Sequence, residues 1–262
     1  MSADFQVIQH DIAAATMKSL GNRQRNQLVG CMHAHNELVA LNRLLMFSLN
    51  AVGEGELHDA AQGVQMWCVL QVLVGKLYET WNMLRERFMK AQPEDPALTV
   101  LTPKQRASLE WLKNYFGEDK QKTNALWTIR DKTAFHYDKL NLEQAMQETG
   151  DEAHRVYLAQ HPANSLYYAG SALIFQTVFA MIADQATDTS KMTSVERMRE
   201  GVKIALHDVN HANMHMHEVL YGLIYGFLKP SLNAEQQQVR VQIKDAPKST
   251  QVALPMFLDI GQ

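Results

Sequence analysis

The chain has 262 residues, of which 46% are hydrophobic, and it carries a formal net charge of −3 with a sequence pI near 6.4. This length and apolar content suit one large domain or two small ones with a buried core. The acidic pI argues against a generally basic nucleic-acid-binding protein, so any contact with RNA must come from a local patch. Cys31 and Cys68 provide neither a disulfide framework nor zinc-ligand spacing, which predicts a cytoplasmic protein with reduced thiols.

Helical periodicity dominates the chain from its first residues. Apolar positions recur three and four residues apart, and Gly or Pro interrupts the pattern between segments. Thr102 and Pro103 have the N-cap and first-turn residue types of a helix that Gly117 would end. The predicted helices cover residues 4–19, 26–51, 57–89, 103–116, 122–136, 164–184 and 194–228.

The C-terminal tail changes period. Val239, Val241 and Ile243 alternate with polar residues, and residues 252–258 have an extended pattern that contains Pro255. These features predict a short edge hairpin. The expected fold is therefore an all-α, multi-helix up-and-down bundle with a small C-terminal β-hairpin. Its helical domain would span residues 1–230 and its tail residues 231–262.

The longest uncharged run covers residues 162–183 and is long enough to raise the question of a membrane span. Polar residues dilute this run, and no Lys or Arg flanks it closely. We therefore predict a buried core helix here and no membrane association.

Arg130, Asp131 and His136 form the candidate catalytic motif, set in a helix-compatible apolar background within residues 124–138. The family resemblance of this motif, set out below, implies RNA cleavage without a metal, which requires a base for the 2′-OH proton, an acid for the leaving 5′-oxygen and positive charge on the phosphorane oxygens. His136 can serve either proton-transfer role, and Arg130 can clamp the phosphate. Asp131 could orient one of them.

Six residues on an α-helix turn about 600°, which leaves the Arg130 and His136 side chains about 120° apart. A single helix therefore makes a poor pocket. Two such helices that meet across a two-fold axis would bring both residues of both chains together. The motif thus predicts a homodimer with residues near 130–137 at or beside its interface.

A second Arg and His pair has the same spacing. Arg155 and His161 are also six residues apart, but Pro162 biases His161 away from the helical region. No polar residue follows Arg155 directly. We therefore take the first pair as the candidate site.

The first motif resembles the Arg-x(4–6)-His signature of HEPN-domain proteins, many of which are metal-independent ribonucleases. The resemblance is carried by Asp131 after Arg130, by Phe135 before His136, and by Tyr137-Asp138 after it. Upstream, the segment Leu73–Trp81 also resembles some HEPN relatives, with Glu79 as an acidic residue on the helix that packs against the motif. The resemblance covers roughly residues 57–140.

The resemblance implies a metal-independent endoribonuclease without a cofactor, of the kind found in toxin–antitoxin and anti-phage systems. It also implies a site at a homodimer interface and an inhibitory protein partner or limited expression. The implied catalytic residues are Arg130, His136, Asp131 and Glu79, and the implied substrate-binding residues are Lys132 and Tyr137.

A histidine stripe suggests a different function. His207, His211 and His215 are four residues apart on one face of a predicted helix, with His217 and Glu218 nearby, and neutral imidazoles can bind a transition metal. The possible partners on another helix are Cys31, His33, His35 and Glu37. The paired Glu-x-x-His motifs of di-iron bundles are missing, so we expect no stoichiometric metal.

Three functions therefore remain open. The first is the HEPN-type endoribonuclease. The second is a non-catalytic helical module for dimerisation or scaffolding, in which Arg130 and His136 are ordinary members of a packing seam. The third is a metal-binding helical bundle that uses the stripe from His207 to His215.

Overall fold

The computed structural model describes residues 3–90, 95–117, 124–134, 143, 146, 155–232 and 239–259. These ranges contain seven α-helices and two strands. In chain order they are β1 (Ala3–Gln9), α1 (Ala14–Ser19), α2 (Asn22–Ser48), α3 (Glu56–Leu84), α4 (Pro103–Phe116), α5 (Ala125–Ile129), α6 (Tyr168–Ala186), α7 (Ser194–Leu232) and β2 (Val239–Ala246). The prediction of an all-α bundle is confirmed, and the small β element predicted for the C-terminal tail is a two-stranded antiparallel sheet that contains β2.

The core lies between the three longest helices, α2, α3 and α7. Helix α7 packs against α2, α4, α5 and α6, and α2 packs along α3. The middle of α3 presents Leu70, Leu73, Val74 and Leu77, all fully buried. Burying one such side chain contributes about 1.5–3 kcal/mol, so this seam holds the helices together.

Two predicted helix starts are formed as the residue types indicate. At α4, the Thr102 hydroxyl accepts from the Gln105 N–H, and the Gln105 side chain accepts in return from the Thr102 N–H at 3.0 Å. At α5, the Asn124 side chain accepts from the Trp127 N–H at 2.7 Å. Both caps fix where the chain enters the bundle, and the second places the candidate motif.

The helix predicted over residues 4–19 is wrong in its first half. Residues 3–9 form β1, and only Ala14–Ser19 is helical. Strand β1 runs antiparallel to β2, with Phe5 opposite Ile243 and Val7 opposite Val241. Apolar and polar residues alternate in β1 as they do in β2, but a strand needs a partner, and this partner lies at the far end of the chain.

Residues 252–258, the expected partner of β2, form no strand within the described chain. They are held on the bundle by side-chain hydrogen bonds to their backbone instead. Gln65 donates to the Pro255 carbonyl at 2.9 Å, and Asn164 donates to the Leu258 carbonyl at 2.8 Å. The sheet therefore joins the two ends of the described chain and is not a C-terminal hairpin.

Helix α6 contains most of the long uncharged run and is a core helix as predicted. Val178, Phe179 and Ile182 are buried against the rest of the bundle. Among the described helices, none has the length and apolar character that crossing a membrane requires.

Candidate active site

The motif begins in α5 and continues into a single π-helical turn, Arg130–Ala134. Leu126 and Ile129 of α5 are fully buried, so the first half of the motif is anchored in the core. The turn packs on α3. Single π-helical turns are rare and occur frequently at functional sites. His136 and Tyr137 lie outside the described residues.

Arg130 rests on an aromatic ring of α3. Its guanidinium carbon lies 5.0 Å from the ring centroid of Tyr78, within the range of a cation–π contact. Its Nη2 lies 3.8 Å from a carboxylate oxygen of Glu79. The structure thus brings Arg130 and Glu79 together, as expected from the segment Leu73–Trp81.

Tyr78 is a rigid support for this arginine. Its ring is buried and meets the Phe116 ring edge-on, with centroids 4.9 Å apart. Its hydroxyl donates to the Asn124 side chain at 3.3 Å, which links α3 to the start of α5. Burial raises the pKa of this hydroxyl well above its usual range, so Tyr78 stays neutral at physiological pH.

The Arg130 guanidinium keeps donors available. Its side chain is 37% exposed, and the 3.8 Å separation from Glu79 is longer than a hydrogen bond. Its Nε is buried and has no hydrogen-bond partner among the described residues. An unpaired buried donor costs about 1–3 kcal/mol, so the donors open to a ligand are those of the exposed part of the guanidinium.

The next two residues of the motif pair with each other. Lys132 Nζ lies 3.4 Å from a carboxylate oxygen of Asp131, and both side chains are partly exposed. Thr133 is buried and donates to the Ile129 carbonyl at 2.8 Å. Lys132 therefore lies near the surface on the same turn as Arg130, and the orienting role of Asp131 stays a prediction.

The second Arg and His pair lies in a different setting. Arg155 Nη1 lies 3.0 Å from a Glu56 carboxylate oxygen, and both side chains are largely exposed. The chain between Arg155 and His161 is not helical, and Tyr157 forms an isolated β-bridge with Leu166. His161 caps a short 3-10 turn, with its Nδ1 accepting from the Ala163 N–H at 3.2 Å.

The histidine stripe on α7 forms stacked rings. His207 and His211 stack with centroids 4.2 Å apart, and His215 stacks on Trp111 of α4 at 4.5 Å. His215 Nδ1 also lies 3.1 Å from the Ser108 hydroxyl. Within the described ranges, no group of three or more His, Cys, Asp or Glu side chains could hold a metal ion. His215, at one end of the stripe, therefore packs α4 against α7.

The proposed metal partners on α2 make separate contacts. Cys31 is buried, and this burial raises the pKa of its thiol to about 12, so it remains a neutral thiol. Glu37 forms an ion pair with Lys76, in which a carboxylate oxygen lies 2.6 Å from Nζ. His35 meets His217 of α7 edge-on, with ring centroids 4.8 Å apart. His35 was predicted as a possible metal partner of the stripe, but its ring contact with His217, 182 residues away in sequence, was not predicted.

Of the predicted catalytic residues, the structure brings Arg130 and Glu79 together and places Asp131 beside Lys132. Comparison of the chain with protein-family models, with curated proteins and with solved structures gives no match. The candidate site therefore depends on the motif and on the geometry of α3 and α5.

Proposed function

We propose that the chain is a metal-independent endoribonuclease of HEPN type that uses Arg130 and His136. The observation that supports this proposal most directly is the mounting of Arg130. The guanidinium lies on Tyr78 and beside Glu79, yet more than a third of its side chain remains exposed. A guanidinium that is held in place and keeps donors available can donate to two phosphate oxygens at once.

Other arginines of the chain show what a purely structural arginine does. Arg25 donates to the carbonyls of Met17, Lys18 and Leu20 at 2.8–3.0 Å. Arg106 donates to the carbonyls of Leu101 and Thr99 in the same way. Arg130 donates to no carbonyl of the described chain, which favours a ligand-binding role over an ordinary packing seam.

The proposed reaction is a transesterification within the RNA chain. His136 serves as base or acid, so that the 2′-oxygen loses a proton and attacks phosphorus while the leaving 5′-oxygen gains one. The bond from phosphorus to the 5′-oxygen breaks, which yields a 2′,3′-cyclic phosphate and a 5′-hydroxyl. Arg130 stabilises the charge that develops on the phosphorane oxygens.

The remaining motif residues have supporting roles in this proposal. Glu79 positions the Arg130 guanidinium from the side, and Asp131 orients a catalytic group. Lys132 and Tyr137 contact the RNA strand. Two chains related by a two-fold axis combine their motifs into one site, and an inhibitory protein or limited expression restrains the enzyme, as in toxin or anti-phage systems.

The experiment is cleavage of a labelled single-stranded RNA pool in excess EDTA. We expect cleavage to persist, with products that end in 2′,3′-cyclic phosphate, because Arg and His supply the charge and the proton transfer. His136→Ala should lower the rate by about 10²–10⁴-fold. His161→Ala, from the second pair, is the matched control and should cleave like the wild type.

Two outcomes would overturn the proposal. One is activity that disappears in EDTA, and the other is wild-type cleavage by His136→Ala. A protein that cleaves no RNA would leave the non-catalytic dimerisation or scaffold function. Size-exclusion chromatography with light scattering tests the composite site, because a monomer at micromolar concentration contradicts it.

A further inference from the structure

The two-stranded sheet has one apolar face and one polar face. Residues opposite each other in an antiparallel pair point to the same side of a sheet. The register places Phe5 opposite Ile243, Val7 opposite Val241 and Gln9 opposite Val239. One face therefore consists of apolar side chains with a single glutamine, while the other carries Gln6, Ile8, Arg240 and Gln242.

The apolar face is exposed in the single chain. Phe5, Val7, Val239 and Val241 are each 39–50% exposed. Neither strand packs closely on a helix of the described chain. A two-stranded ribbon is marginally stable in water by itself, and further strands or a covering helix are what normally stabilise it. This ribbon therefore lacks the packing that its amphipathic pattern requires.

The two edges of the ribbon differ in charge. The β2 edge carries Arg240 and Lys244, and charged residues of this kind protect an edge strand from pairing. The β1 edge has no charged residue from Phe5 to Gln9. A second β2 would meet like charges, whereas a second β1 would meet uncharged residues. Asp4, near the start of β1, accepts from the Asp245 N–H. The less protected edge is thus β1 from Phe5 to Gln9, and this uncharged stretch suits a copy of itself.

We propose that the ribbon is a homodimerisation arm, in which β1 pairs antiparallel with β1 of a second copy and forms a four-stranded sheet. A two-fold axis perpendicular to the sheet keeps each chain's apolar face on the same side. With Gln6 on that axis, Phe5 of each chain lies opposite Val7 of the other. Aromatic and β-branched residues form favourable cross-strand pairs, so this register brings the exposed Phe5 and Val7 side chains of the two copies into lateral contact.

This proposal does not depend on RNA cleavage, and its test uses matched double variants of the full chain. Phe5→Lys with Val7→Lys places like charges opposite each other across the proposed axis. We expect the dimer dissociation constant to rise roughly tenfold or more, with helical circular dichroism unchanged. Val239→Lys with Val241→Lys changes the same face on the strand away from the axis and should leave the dimer intact.

A cross-link tests the register directly. In a Cys68→Ser background, which removes the exposed native thiol, Gln6→Cys should form an intermolecular disulfide under mild oxidation. Gln242→Cys, at the position opposite Gln6 on β2, should not. A monomeric wild type, a dimer unaffected by the Phe5 and Val7 changes, or equal dissociation of both double variants would overturn the proposal. An unaffected dimer would be held by another interface, such as the one proposed at the motif.

Discussion

Arg130 and Arg155 each begin an Arg and His pair of the same spacing, but the fold treats them differently. Arg130 lies on a buried aromatic ring, on a turn that continues a core-anchored helix. Arg155 lies in a non-helical surface segment and forms an exposed ion pair with Glu56. The comparison shows that a short motif indicates a candidate site only where the fold holds its residues in place, because catalysis requires positioned charged groups.

The largest expected difference between the two regions is in stability. Tyr78→Ala removes a buried ring that contacts Phe116 and Arg130, so the free energy of unfolding should fall by about 3–5 kcal/mol. Tyr167→Ala, near Arg155, removes an exposed ring and should change it by no more than about 0.5 kcal/mol. Urea denaturation measures both values. Similar values for the two variants would mean that Tyr78 is not the buried support described above.

The histidine pair His35 and His217 in the bundle should respond to acid differently from His161 in the surface segment. Burial lowers the pKa of His217 to about 4, with His35 adding to the effect, and burial also lowers the pKa of His35. The unfolded chain has histidine pKa values near 6.5, so below that pH it binds more protons than the folded chain. The free energy of unfolding that depends on this neutral pair is therefore fully present above about pH 6.5. It is lost as the pH falls toward 4.

The size of this acid effect can be measured by urea denaturation at pH 7.5 and pH 5. Partial exposure reduces the effect, so the wild type should lose roughly 1–2 kcal/mol through this pair. His217→Gln should have a smaller loss, whereas His161→Gln, at an exposed turn, should lose as much as the wild type. An unchanged pH dependence in His217→Gln would contradict the assignment.

The smallest expected effects concern the carboxylates beside the two arginines. Both ion pairs are exposed, so Glu79→Gln and Glu56→Gln should each change stability by less than about 1 kcal/mol. If Glu79 positions Arg130, Glu79→Gln should still lower kcat for RNA cleavage by roughly threefold to thirtyfold. Glu56→Gln should leave kcat unchanged. Equal kcat values for the two variants would remove Glu79 from the site.

Local patterns were enough to predict most of the helices. The start of α4 followed from Thr102 and Pro103, whose side chain and ring act within one turn. The contact between Glu79 and Arg130 followed from the resemblance of the segment Leu73–Trp81. The first prediction depends on an interaction within one helical turn, whereas the second joins residues that are 51 apart in sequence and came from the resemblance alone.

The predictions that failed or were missed depend on distant partners. Strand β1 was assigned to a helix because its partner β2 is more than 200 residues away. His35 was predicted as a possible metal partner of the histidine stripe, but its ring contact with His217 was not predicted, because the two residues are 182 apart in sequence. The support of Arg130 by Tyr78 was also not visible, since a tyrosine in an apolar helix has the pattern of any core residue.

The most direct test of the proposed function is to compare Arg130→Ala with Arg155→Ala on one RNA substrate in excess EDTA. Arg130→Ala should lower the cleavage rate by about 10²–10⁴-fold, because it removes the charge that stabilises the phosphorane oxygens. Arg155→Ala should cleave like the wild type. Near-wild-type cleavage by Arg130→Ala, or an equal loss in both variants, would contradict the assignment of the site.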